Sequence, residues 1–128
     1  MRYPKRLPPH LSGTSFAVAE GLEAGLTGKQ LLGRSVRVPS RGVRGPAGAE
    51  LNLAARGRAL SWVTPGSVVS HSTAARLWGF PLPAWLGNDP AVHITRPGTL
   101  HAPRRREVIG HSALLHPDET TVHDGVRL

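Results

Sequence analysis

Apolar residues recur at helical spacing in only a few short windows of this chain, and glycine or proline closes each one. The first window is FAVAEGLEAGLTGKQLLG, residues 16–33. Phe16, Val18, Ala19, Leu22 and Leu26 give a helix-like apolar face that breaks at Gly25, a residue suited to the left-handed position after a helix end. Thr27 then opens a second short helix. Gln30 stands where a capping box needs it: the Thr27 hydroxyl accepts the Gln30 backbone N–H, and the glutamine side chain reaches back. Leu31 and Leu32 supply the buried side. Two helices joined by a short glycine-containing turn make a helix-turn-helix.

The period changes at Val36. Val36 and Val38 alternate with Arg37, Ser40-Arg41-Gly42 is a turn, and Val43 and Arg44 resume the alternation. This predicts a two-stranded ribbon with Arg41 at its tip. A helix-turn-helix followed by a basic ribbon is a winged helix, whose helix enters the major groove of DNA while the ribbon meets the backbone or the minor groove. Residues 47–64 form the longest helical candidate, with Leu51, Ala55, Ala59, Trp62 and Val63 on one face. Residues 91–96, 107–115 and 120–128 read as strands, with Arg104, Arg105 and Arg106 as a basic knot between the first two. Pro4, Pro8 and Pro9 make residues 1–13 an extended arm. The expected architecture is α+β: the arm, an N-terminal winged helix-turn-helix over 14–46, and a small mixed helix and strand subdomain over 47–128.

Charge gives that pattern a direction. The 128 residues carry 16 Lys+Arg against 8 Asp+Glu, and the excess is concentrated before residue 47. A basic front half points to a polyanion, most simply nucleic acid. The candidate DNA contacts are Thr27, Lys29, Gln30, Arg34, Arg37, Arg41 and Arg44. There is no cysteine, which excludes a disulfide framework and a thiolate zinc site. No apolar run is long enough to cross a bilayer, and MRYPKRLPPHLSG lacks the apolar stretch of a signal peptide. A cytoplasmic location is the default.

The run SHSTAARLWGF, from Ser70 to Phe80, sets a serine beside a histidine and so invites a catalytic reading. Ser70 is instead placed to cap a helix over about 71–78, with Ala74, Leu77 and Trp78 inward and Gly79 as its stop. There is no Gly-x-Ser-x-Gly turn. A metal-dependent nuclease would need clustered carboxylates with a lysine nearby. The only lysines are Lys5 and Lys29, and Asp118, Glu119 and Asp124 are loosely spaced. The seven histidines match no strong zinc spacing and read as scattered surface residues. No metal site, cofactor or enzymatic activity is expected.

FAVAEGLEAGLTGKQLL, SRGVRGP, SHSTAARLWGFPLP, AVHITRPG and the arginine knot together resemble the N-terminal half of an actinobacterial family of AbiEi-type antitoxin-like proteins. Some of its members carry a C-terminal very-short-patch-repair-endonuclease-like domain. The resemblance spans about residues 14–128, and its most specific piece is the run holding Ser70, His71, Thr73 and Gly79. It implies a winged helix that binds operator DNA, with Thr27 to Leu32 as recognition helix and Arg37 to Arg44 as wing, and a connecting α/β subdomain. Two departures stand out. Ala17 occupies the place of a Thr or Ser that begins the first helix, so that cap is lost or moves to Ser15. The family's Thr-Ser-Pro-x-Arg-Thr helix and nuclease-like domain do not follow Leu128. The expectation is a truncated or excised, non-enzymatic DNA-binding autoregulator of a toxin–antitoxin system. Two alternatives are the non-catalytic front of an endonuclease-like protein and a toxin- or protein-binding module. A C-terminal strand left open at 120–128 would favour self-association.

Overall fold

Phe16 and Ala17 form a paired strand, β1, and not the start of a helix as their apolar character suggested. The computed structural model describes residues 14–32, 36–46, 52–123 and 125–128. The expected arm over 1–13 lies outside them. From β1 the chain runs straight into α1 (Val18–Glu23). Ala17 has no cap oxygen to offer, and the Glu20 carboxylate accepts the Ala17 backbone N–H at 3.0 Å. That is the half of a capping box that survives without a hydroxyl. Ser15 does not take over: its Oγ is buried with no hydrogen-bond partner among the described residues.

The predicted inner face of α1 is also corrected. Ala19 and Leu22 are exposed, and Gly21 is the buried position. A Cβ at 21 would lie 2.8 Å from Leu31 Cδ2 and 3.1 Å from Phe16 Cε2. The absent side chain is therefore what lets α1 lie on the buried cluster of Phe16, Leu26 and Leu31. Both bonds of the predicted capping box form: Thr27 N–H donates to Gln30 Oε1 at 2.7 Å, and Gln30 N–H to Thr27 Oγ1 at 3.2 Å. They introduce a single 3₁₀ turn, Gln30–Leu32.

The ribbon is present as β2 (Val36–Ser40) and β3 (Val43–Pro46), turning at Arg41 and Gly42. β3 also pairs with β1, Phe16 opposite Arg44 and Ala17 opposite Val43, so the antiparallel sheet has the order β1-β3-β2. Next is α2 (Leu53–Trp62), capped by Asn52, whose Oδ1 accepts the Ala55 N–H at 3.1 Å. Its predicted face is met at Ala59 only in part. Trp62 is 57% exposed, Leu51 lies outside the described residues, and the buried positions are Arg56, Gly57, Ala59, Leu60 and Ser61.

A second sheet holds β4 (Val68–Val69), β5 (Val92–Pro97) and β6 (Val108–Ala113), in the order β4-β5-β6. β4 and β5 are antiparallel, while β5 and β6 are parallel. The chain between β4 and β5 forms α3 (His71–Leu77) and α4 (Ala84–Gly87). Val92 and Ile94 point into a cluster shared with Val43, Ala59 and Leu60, so one core joins ribbon, helix and second sheet. By the alternation of a strand, His93 and Thr95 take the opposite face.

The last segment corrects another expectation. Residues 120–128 are not one strand but a hairpin, β7 (Val122–His123) and β8 (Val126–Arg127), with Gly125 between them. Val126 and Leu128 are buried with Val69. The Leu128 and Thr121 backbones exchange two hydrogen bonds of 2.9 Å, which close the hairpin while Val122 stays exposed. The class is mixed α+β. Among the described residues no helix is long and apolar enough to cross a membrane.

Candidate nucleic-acid interface and histidine cluster

Thr27 and Gln30 spend their cap-forming atoms on each other, and Lys29 beside them is exposed. Arg34 and the side chain of Arg37 lie outside the described residues. Arg41 is exposed at the ribbon tip. Arg44 is partly buried and otherwise engaged: its Nε donates to the Leu31 carbonyl at 2.7 Å and its Nη1 to the Val43 carbonyl at 2.9 Å. It ties the ribbon to the 3₁₀ turn.

The arginine knot returns to the ribbon. Arg105 donates from Nη1 to the Arg41 carbonyl at 2.5 Å and from Nη2 to the Val63 carbonyl at 2.7 Å. Burial, and then the neighbouring Arg41 charge, lower its pKa from the ordinary arginine value. The loop that carries the knot is seated by Gly110 on β6, where the Pro103 backbone occupies the place of a Cβ. Arg41, Arg96, Arg104 and Arg105 thereby line one recess of about 320 Å³, and among the described residues no acidic one lines it. The DNA contacts expected from the sequence all belong to the front half, and Arg96, Arg104 and Arg105 are not among them. The run of three arginines was the only linear signal, since nothing local shows where a loop returns.

Ser70 does not cap α3 through its side chain, which corrects the expected role. Thr95 Oγ1 donates to Ser70 Oγ at 2.6 Å, and His71 Nδ1 lies 3.0 Å from the same oxygen. The Ser70 N–H bonds to the His93 carbonyl at 3.0 Å, and Thr73 Oγ1 accepts the His93 N–H at 2.9 Å. The Ser-His-x-Thr run therefore docks the start of α3 onto β5. Gly79, with a positive φ of 78°, follows the helix as expected. Ala74 and Leu77 pack against the cluster of Val69, Val126 and Leu128. Trp78, expected inside, is 44% exposed and stacks on His123 at 4.1 Å.

Three of the seven histidines are not scattered. His93 and His111 stand on one face of the parallel pair β5 and β6, a diagonal step apart in register, with His93 Nδ1 2.9 Å from His111 Nε2. His71 comes from the start of α3 with φ at +53°, and its ring stacks on His111 at 3.8 Å. Asp89 Oδ2 lies 3.5 Å from His93 Nε2, within ion-pair reach but long for a hydrogen bond. The Ala91 backbone N–H, at 2.9 Å, is the chief cause of a lowered Asp89 pKa, against some desolvation. Burial, and then His71 and His93, hold the His111 pKa below its ordinary value. The alternation of the two predicted strands was the only hint of this cluster, because the three residues belong to no local spacing motif. No protein-family model, curated protein or solved structure matches the chain.

Proposed function

We propose that the protein binds double-stranded DNA as a winged helix-turn-helix regulator of the antitoxin type, acting in the cytoplasm. The observation that carries this reading is the set of four arginines, Arg41, Arg96, Arg104 and Arg105, around a recess at the ribbon tip that no acidic residue lines among the described ones. Guanidinium groups gathered without carboxylates suit phosphate oxygens, which arginine can engage bidentately. The sheet order β1-β3-β2 agrees with this reading, with α1 and the 3₁₀ turn lying between the first strand and the ribbon. So does the resemblance of residues 14–128 to AbiEi-type proteins. On this reading Arg41 and Arg104 position the duplex through its phosphates, and Arg44 supports the ribbon from within. Lys29 reaches base edges, where a lysine donates to guanine O6 and N7. The same surface would serve the DNA-positioning front of an endonuclease-like protein.

A second reading, a toxin- or protein-binding module, is favoured by a different surface. Trp78 and Phe80, just after α3, and Trp85, on α4, are 44%, 63% and 76% exposed, and large aromatics are enriched at protein interfaces.

Titration of labelled duplexes at several salt concentrations separates the two. With about three phosphates engaged, log K should fall with log salt at a slope of roughly −2.7. Arg41→Ala and Arg104→Ala should each flatten that slope by about one unit and weaken all sequences alike. Lys29→Ala should change which sequence is preferred. Absence of binding at low salt, or binding that survives loss of Lys29, Arg41, Arg96 and Arg104 together, would move the reading to a protein partner.

A further inference from the structure

We propose that His71, His93 and His111 form a binding site for one divalent transition-metal ion of the zinc class, on the face of the second sheet beneath the start of α3. Each of the three offers one ring nitrogen, and these atoms all lie within 4.8 Å of one another. Nitrogens held at 2.0–2.1 Å from a tetrahedral ion stand about 3.3–3.4 Å apart. The His93 to His111 pair, at 2.9 Å, needs to open by a few tenths of an ångström. The third nitrogen closes in by a rotation of the exposed His71 side chain, which gives up its stack on His111 for the shared ion.

The surroundings prepare the rings as ligands. A metal-binding histidine is normally fixed by a hydrogen-bonding partner on its other nitrogen. Asp89 Oδ2 lies 3.5 Å from His93 Nε2, at ion-pair rather than hydrogen-bond distance, and its negative charge favours the ring protonated at Nε2. A proton on Nε2 leaves the Nδ1 lone pair toward His111. Ser70 Oγ stands 3.0 Å from His71 Nδ1, and a proton there leaves Nε2 as the basic nitrogen. Asp89 is itself anchored by the Ala91 N–H at 2.9 Å. His71 holds a left-handed backbone conformation, a strain of the kind that clusters at ligand sites. An ion-free stack of imidazoles is the structural alternative, and it has only one ring-to-ring hydrogen bond among three rings. An all-imidazole set selects zinc, nickel or copper over magnesium and calcium. Three protein ligands leave a fourth position for solvent or for a group from a partner. A cavity of about 560 Å³, lined by Ser70, His71, Thr95 and Glu119 among others, opens beside His71. The site is independent of the DNA reading.

The test uses the full chain, stripped with a chelator and titrated with Co²⁺, then Zn²⁺. The expected result is one Co²⁺ per chain, with the visible absorption of a tetrahedral site, displaced by Zn²⁺ and unaffected by Mg²⁺. His71→Asn and His111→Asn should each weaken binding about tenfold or more. Asp89→Asn, at a positioning residue, should weaken it by roughly tenfold to a hundredfold while the saturated site keeps its absorption. His101→Asn and His116→Asn, at exposed positions, should leave binding unchanged. Histidine ring signals of the parent protein guard against a variant that fails to fold. Those of His71, His93 and His111 should shift with Zn²⁺, and those of His101 and His116 should not. No saturable Co²⁺ binding, binding that survives His71→Asn, His93→Asn and His111→Asn combined, or ring shifts confined to other histidines would each overturn the proposal.

Discussion

Thr73 Oγ1 accepts the backbone N–H of His93 at 2.9 Å, so a helix side chain completes the hydrogen bonding of a strand. β4 is only two residues long, and Ser70 makes the last backbone bond to β5 through the His93 carbonyl. The adjoining N–H of His93 would then have no strand to meet, and the hydroxyl of Thr73, 1% exposed, fills the place.

Thr73→Val keeps the volume and removes the acceptor. The unpaired N–H should cost about 1–3 kcal/mol of stability, read as a lower urea midpoint at unchanged slope. Thr73→Ser restores the acceptor and should recover most of the loss. Equal losses in the two variants would mean that the methyl group, not the hydrogen bond, matters.

Ser70 and Thr95 should be energetically coupled. Their hydroxyls are 2.6 Å apart, and Ser70 makes no side-chain cap bond to α3. Ser70→Ala and Thr95→Val should each destabilise, and the double variant should cost less than the two together, with a coupling of about 1 kcal/mol. Strict additivity in a double-mutant cycle would show that the two hydroxyls act apart.

Gly21→Ala should destabilise although alanine is the better helix former. Its methyl would meet Leu31 Cδ2 and the Phe16 ring inside a filled cluster, and overpacking of this kind costs about 1–3 kcal/mol against a propensity gain near 1 kcal/mol. Gly28→Ala is the control, since a Cβ there meets nothing within 4 Å. Thermal midpoints should fall for the first variant and stay within about a degree or two for the second.

These contrasts mark where the sequence was legible. Local chemistry was: the capping pair Thr27 and Gln30, the ribbon turn at Arg41 and Gly42, and strands β5 and β6 all follow from short-range pattern. Helix faces were less so. Period alone put Leu22 and Trp62 inside, but α1 and α2 approach their neighbours through Gly21 and Gly57, buried positions that no hydrophobicity count marks. Ser70 resembled a cap because capping is the local use of a serine, while its real partner, Thr95, lies 25 residues on. The histidine cluster and the arginine recess are products of register and of a returning loop, and linear spacing carries neither.

The arginine recess should depend on a residue that carries no charge. Pro103 sits against Gly110 so closely that a methyl there must displace the loop, and that loop runs on into Arg104 and Arg105. Arg105 in turn holds the ribbon tip through the Arg41 carbonyl. Gly110→Ala should therefore cost stability, about 1–3 kcal/mol for a forced shift in a packed position, and should also loosen the ribbon tip. Hydrogen exchange should quicken across residues 40–43 in Gly110→Ala and in Arg105→Ala, but not in Arg104→Ala. Arg104 is exposed, and among the described residues the bonds from this loop to the ribbon tip come from Arg105. If the recess binds phosphate, Gly110→Ala should weaken duplex binding with the net charge unchanged, whereas Arg104→Ala should weaken it with the ribbon unchanged. Unaltered exchange at 40–43 in Gly110→Ala would show that the loop and the ribbon tip are mechanically independent.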